Sequence, residues 1–146
     1  MVTLDDVRSV ALALPRTTEA FVRARVKFRV GRIVYASFSR DETIMGFGFP
    51  KEWRETLVKS DPARFMLPSL FDMRYNWVHV KLDSINKAEM QDLILDAWAM
   101  TVSSFELERV LQLRDPAVFA ELDEAIKAVQ KPAVVRNLHN RPRLDR

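Results

Sequence analysis

The chain has 146 residues, 48% of them hydrophobic and 29% charged, and its formal net charge is +3. This size and composition are ordinary for one globular domain with its own core. The absence of cysteine excludes disulfides, thiolate nucleophiles and cysteine-ligated metals, and no apolar run approaches the roughly 18 residues that suggest a membrane span.

The first segment predicts an amphipathic helix over residues 4–14. Apolar residues recur there at intervals of three and four, and Thr3 with Asp6 resembles a capping box. Pro15 ends this helix, because proline lacks the backbone N–H that a helix interior needs.

Residues 21–30 alternate between apolar and cationic side chains, and this period of two predicts a single β-strand. One face of that strand would be apolar. The opposite face would carry four cations, which are Arg23, Arg25, Lys27 and Arg29. Because unpaired like charges cannot be buried, we expect that face to meet water, acidic neighbours or an anionic partner.

The remaining chain predicts further short strands and helices. Strands are expected over 33–38, 43–49 and 74–82, with a short strand or covering loop within 63–72. Helices are expected over 51–59, 88–102, 105–113 and 117–129. From residue 131 onward the arginine-rich sequence has no periodicity, which is typical of a flexible tail.

This order of elements predicts a two-layer α+β fold in which helices cover one face of an antiparallel sheet. We divide the chain into an α+β domain over 1–104, a helical extension over 105–130 packed on or beside it, and a basic, flexible tail over 131–146. The other face of the sheet stays at least partly open, and we expect the strand cations to lie there.

The positive charge is concentrated in two parts of the sequence. Residues 16–40 contain seven cations and one carboxylate, and residues 131–146 contain five cations and one carboxylate. The long segment between them is acidic. Such asymmetry bears on which partners the protein can meet and says nothing about the fold.

The basic strand is therefore the first candidate site, with Arg32 and Arg40 flanking its four cations. A row of cations could follow the phosphates of DNA or RNA and would fix position rather than read sequence. The alternative is a solvated sheet face whose cations pair across the sheet with acids such as Asp41, Glu42 or Asp72.

Trp77, His79 and Lys81 share one face of the strand predicted over 74–82. An aromatic ring beside cations is how single-stranded nucleic acid is held by stacking, so Trp77 and Lys81 join the candidate nucleic-acid-binding residues. The alternative is that Trp77 packs beneath the apolar segment 65–71.

Patterns for catalysis are absent from the sequence. Gly46-Phe47-Gly48 lacks the third glycine and the lysine of phosphate-binding loops, and no Gly-x-Ser-x-Gly occurs. With two histidines and no cysteine, a metal would need mainly carboxylates, and no ligand spacing supports one. We predict no catalytic residue, no metal and no cofactor, and we expect that the protein is not an enzyme.

Three parts of the sequence resemble the MmcQ/YjbR-like family. These are Ala13-Leu14-Pro15 with Thr18-Glu19 and Phe28-Arg29-Val30-Gly31, then Arg74 to Asp83 as the signature strand, then the helix around Leu93 to Trp98. The resemblance covers residues 3–104. It implies a small cytoplasmic bacterial protein of element order α-β-β-β-α-β-β-α, and the family is described as predicted DNA-binding, with a double-wing motif.

Two further hypotheses stand beside a non-catalytic nucleic-acid-binding module. The first is a protein-interaction module, in which the open sheet face or helices 105–130 would dock an acidic partner or a second copy of the chain. The second is a small-molecule binder or enzyme with a pocket between the strand of Gly46 and the strand of Trp77. The tail from residue 131 would be either a second segment that binds an anionic partner or a terminal segment that keeps the protein soluble.

Overall fold

The structure, a computed structural model, describes the backbone of residues 1–113 and the side chains of residues 1–104. The helices are α1 (Leu4–Ala11), α2 (Lys51–Ser60) and α3 (Lys87–Leu113). The strands are β1 (Thr17–Val22), β2 (Arg25–Val30), β3 (Ile33–Phe38), β4 (Ile44–Gly48), β5 (Phe65–Met66) and β6 (Trp77–Lys81). Short 3₁₀ turns, Asp72–Arg74 and Leu82–Ser84, flank β6.

The six strands form one antiparallel sheet in the spatial order β1-β2-β3-β4-β6-β5. The predicted α+β class, with an antiparallel sheet and a C-terminal helix, is confirmed. One strand is added to the predicted order, because four strands rather than three precede α2. The last strand, β6, lies between β4 and β5, which brings residues of β6 beside the glycines of β4.

The prediction of a single strand over residues 21–30 is wrong, because the chain reverses at Arg23 and Ala24. Val22 of β1 pairs with Arg25 of β2, so Arg23 and Ala24 form a two-residue hairpin loop. Their φ angles are 53° and 63°, as a type I′ turn requires. Left-handed backbone costs a residue with a Cβ on the order of 1 kcal/mol, so this turn is strained.

The hydrophobic core lies on one face of the sheet, in a row set by strand register. Phe28, Ala36, Phe47 and Val78 stand opposite one another on four neighbouring strands and are fully buried. In the adjacent row, the side chains of Lys27, Ser37 and His79 are half-buried. Alternate rows therefore separate a covered face from an open face, as the pleat of a sheet requires.

The helices cover the core through apolar residues at helical spacing. Leu4, Val7 and Ala11 of α1 and Leu93, Ile94 and Ala97 of α3 belong to the same buried cluster. The predicted capping box of α1 is present, since the Thr3 side chain accepts a hydrogen bond from the Asp6 backbone N–H and Asp6 bonds back to the Thr3 N–H. The Trp98 indole donates to the carbonyl of Pro15 at 2.8 Å and ties α3 to the end of the α1 segment.

Residues 88–102 and 105–113, predicted as separate helical stretches, belong to one continuous helix, α3. The predicted helix over 117–129 and the predicted tail over 131–146 lie outside the described residues. Among the residues that the structure describes, no helix combines the length and the hydropathy needed to cross a membrane.

Candidate nucleic-acid interface

The open face of the sheet presents one transverse row of small and polar residues. Lys27 on β2 is opposite Ser37 on β3, and Ser37 is opposite Gly46 on β4. Gly46 is opposite His79 on β6, which in turn faces Met66 on the short outer strand β5. Five strands thus contribute one position each, and the middle position is a glycine without a side chain.

A cleft of about 870 Å³ lies over this row. Its polar lining includes Arg25, Lys27, Arg32, Ser37, Asn76 and His79. Trp77 and Tyr75 add aromatic surface, and Met100 of α3 lies beside Gly48 at the end of β4. This volume is within the range of pockets that hold small ligands or single residues of a polymer.

The predicted cations divide into two groups. Arg25, Lys27 and Arg32 line the cleft. The cations that do not line it are Arg23 at the hairpin tip, Arg29 further along β2, Arg40 in the β3–β4 turn and Lys81 at the end of β6. Arg29 is half-buried, and its Nε is buried without a hydrogen-bond partner in the described structure.

Two of the three acids that could have paired with these cations accept hydrogen bonds from neighbouring hydroxyl groups. Asp41 accepts hydrogen bonds from Ser39 Oγ and Thr43 Oγ1, both at 2.7 Å, and Asp72 accepts one from Ser69 Oγ at 3.2 Å. Within residues 1–104, none of the candidate cations forms an ion pair with a carboxylate. Since Asp72 is the one carboxylate among the described lining residues, the lining carries an excess of positive charge.

Trp77 is half-buried, and its indole packs against β4. A Cβ built on Gly46 would lie 2.5 Å from Trp77 Nε1 and 2.8 Å from its Cε2. The indole therefore occupies the space that a side chain at position 46 would need. Gly46 is the reason that the ring can approach the strand backbone so closely.

His79 lies on the open face, where the carboxylate of Asp72 and the cation of Arg25 both act on it electrostatically. Burial is the main cause that lowers its pKa from the ordinary value of 6.5, the Arg25 cation lowers the pKa further, and Asp72 acts in the opposite direction. His79 is therefore neutral at pH 7. Bringing an anion into the cleft would favour protonation of the ring.

Acidification should reduce the stability of the fold through His79. Below pH 6.5 the unfolded chain binds a proton at this position before the folded chain does, so the free energy of unfolding falls as pH decreases from about 7. We expect the urea midpoint of the wild type to drop more than that of His79→Gln between pH 7.5 and 5.5. Parallel curves for the two proteins would contradict this, because their other titrating groups are shared.

The segment before β6 is held in place by a buried arginine that sequence reasoning missed. Arg54 of α2 is 7% exposed, and its guanidinium donates to the carbonyl oxygens of Met73 at 2.9 Å, Tyr75 at 3.0 Å and Trp77 at 3.4 Å. Asn76 accepts a hydrogen bond from the Lys51 N–H at 3.0 Å, next to the same helix. These bonds fix the backbone from which Tyr75 and Trp77 project into the cleft.

Sequence reasoning did not select Ser37, Tyr75 or Asn76 as lining residues, and it named Asp72 only as an acid that could pair with the strand cations. These residues share no sequence pattern, because they come together only through the pairing of β3 with β4 and of β4 with β6. Among residues 1–104, no three His, Asp or Glu side chains form a group that could hold a metal ion.

Together, the fold and this face define a small α+β protein with a basic, aromatic cleft on an open antiparallel sheet. The family model YjbR matches residues 12–100, and the chain belongs to the YjbR family. The matched segment includes all the strands of the described sheet and α2.

A solved structure shares this fold. The Deinococcus radiodurans protein DR2400, described with the domain DUF419, is 25% identical to the chain with a TM-score of 0.61. The similarity covers 68% of this chain and 78% of that one. Among curated proteins, the search finds no match to the sequence.

Proposed function

We propose that this protein binds single-stranded nucleic acid along the open face of its sheet and performs no chemical step. The observation that carries the proposal is the placement of Trp77 in the same cleft as Arg25, Lys27 and Arg32. Phosphates would meet the three cations, and an unpaired base would stack on the indole. The phosphate contacts would position the strand without reading its sequence.

A single strand fits this cleft better than a duplex does. The cleft has the volume of a small-ligand pocket and is concave, whereas a duplex presents a broad, convex surface. Stacking on Trp77 also needs a base with a free face, which a paired and stacked base lacks. A bacterial cytoplasmic location, implied by the family resemblance, would supply both RNA and transient single-stranded DNA.

Fluorescence anisotropy with a fluorescein-labelled ten-nucleotide oligothymidylate tests the proposal across a salt series. Three phosphate contacts predict that log K falls with log salt at a slope of about −2 for a single strand. In the double variant Arg25→Ser/Lys27→Ser, two of the three contacts are lost, so the slope should fall to about −0.7. The same sequence as a duplex should bind more weakly than the single strand.

A matched control removes two cations outside the cleft. Lys59 and Lys87 are exposed and form surface ion pairs with Glu55 and Asp6, so their replacement by serine has little effect on folding. The double variant Lys59→Ser/Lys87→Ser should keep the wild-type slope. Absence of wild-type binding at 50 mM salt, or equal slopes for both double variants, would overturn the proposal.

A protein-interaction role is the second candidate, and one observation favours it. Phe21 is 73% exposed and Val22 is 43% exposed on β1, one of the two edge strands of the described sheet. An outer strand with exposed apolar side chains is a surface on which a second chain can pair. A concentration-dependent dimer in sedimentation equilibrium, together with no oligonucleotide binding, would favour this role.

A further inference from the structure

The segment from Leu67 to Tyr75 exposes large apolar side chains at the border of the cleft. Leu70 is 94% exposed, Phe71 is 69% exposed and Tyr75 is 51% exposed. Clustered exposed apolar surface on a soluble domain commonly marks a binding site. Tyr75 belongs to this segment and also lines the cleft, so the two surfaces are continuous.

The two rings of this segment, those of Phe71 and Tyr75, both contact the cation of Arg74. The guanidinium carbon of Arg74 lies 4.2 Å from the ring centroid of Phe71 and 4.8 Å from that of Tyr75. These distances are those of cation–π contacts, which fix an otherwise flexible side chain. In the part of the chain with described side chains, Arg74 forms no ion pair with a carboxylate.

The arrangement therefore presents two exposed rings and one available positive charge on a backbone segment that is held in place. Arg54 holds this segment, since its hydrogen bonds reach the carbonyls on both sides of Arg74. Aromatic rings combined with an arginine are the elements that hold successive bases of a single strand. A purely apolar partner would gain nothing from the guanidinium, so the chemistry favours a partner with both flat rings and anions.

We propose that Phe71, Arg74 and Tyr75 form a second stacking platform, which takes the nucleotide adjacent to the one over Trp77. This inference rests on the proposed function, because it extends the same strand beyond the cleft. Tyr75 and Trp77 are separated by one residue and both line the cleft, so their rings are two distinct surfaces of one site. Each ring can therefore hold its own base.

Ring substitutions on a normal and an abasic ligand test the platform. Tyr75→Ala and Phe71→Ala should each weaken binding of the ten-nucleotide oligothymidylate by about tenfold, because each removes one stacking surface. Tyr75→Phe keeps the ring and should bind like the wild type. An oligomer of the same length with abasic sites has nothing to stack, so the wild type and Tyr75→Ala should bind it equally.

The outcomes separate this inference from the proposed function. If the wild type binds the oligothymidylate and both alanine variants bind it equally well, the platform is absent while the proposed function stands. If the wild type binds no oligonucleotide, the proposed function fails as well. Partition of the wild type onto phosphatidylserine vesicles that Leu70→Ser abolishes, with oligonucleotide affinity unchanged in Phe71→Ala, would assign the segment to a membrane surface and overturn the inference.

Discussion

Replacing Arg54 with leucine should lower the free energy of unfolding by about 3 kcal/mol, which is a large fraction of the stability of a small domain. The guanidinium is buried and donates to the carbonyl oxygens of Met73, Tyr75 and Trp77, where the chain enters β6. Leucine fills part of the space but offers no donor, so buried acceptors lose their charged partner. Urea unfolding followed by circular dichroism measures the loss.

Two variants control for the change of helix composition and for charge. Glu52→Leu replaces an exposed residue of the same helix and should change stability by less than about 0.5 kcal/mol. Arg54→Lys keeps the charge but not the planar fork, so it should restore only part of the lost stability. An Arg54→Leu protein with wild-type stability would show that the three bonds contribute nothing to the fold.

The same substitution should also loosen the segment that carries Tyr75 and Trp77. Hydrogen exchange of the backbone amides between α2 and β6 should accelerate in Arg54→Leu more than exchange in β3, which supplies none of the three carbonyl partners of Arg54. This second measurement distinguishes local release of the segment from uniform destabilisation. It also connects a stability residue of α2 to the geometry of the cleft.

Much of this architecture could be predicted because the deciding signals are local. The capping box of α1 and the apolar periods of β3, β4, β6 and α3 each depend on neighbouring residues, and the structure contains these elements. Once helices and antiparallel strands are recognised, burial of one sheet face follows. The open face could therefore be anticipated before the strand order was known.

The hairpin at Arg23 and Ala24 could not be predicted, for a physical reason. A type I′ turn normally has asparagine or glycine at the positions with positive φ, and this turn has neither. The alternation of residues 21–30 continues through the loop, so the pattern resembles one strand. The reversal places Val22 beside Arg25 on the open face, and Arg23 moves from the predicted row of cations to the tip.

The residues that line the cleft could not be predicted from the sequence, because they come together only through the pairing of strands that are distant in the chain. Gly46 and Trp77 are distant in sequence and meet only because β6 lies between β4 and β5. Arg54, on an intervening helix, looks like an ordinary surface cation until its three carbonyl partners are located. Periodicity predicts which face a residue occupies and leaves open which strand lies next to it.

Gly46→Ala should displace the Trp77 indole and thereby weaken oligonucleotide binding by at least about tenfold, the effect expected for loss of one stacking surface. The new Cβ would lie within 3 Å of three indole atoms, and β4 cannot retreat because it is hydrogen-bonded on both sides. The ring must therefore turn away from the sheet. In a ¹H–¹⁵N spectrum the indole signal of Trp77 should move, while those of Trp53 and Trp98 should not.

Gly48→Ala is the matched control on the same strand. A Cβ there would lie 3.0 Å from Met100 Cε, the end of a flexible side chain that can move aside, and 3.7 Å from Ala97 Cβ. This variant should keep the Trp77 signal and bind as the wild type does. Trp77→Ala removes the ring without adding a Cβ, and it should reproduce the binding loss of Gly46→Ala. If Trp77→Ala and Gly46→Ala both bind like the wild type, the indole is not a stacking surface and its contact with Gly46 serves packing alone.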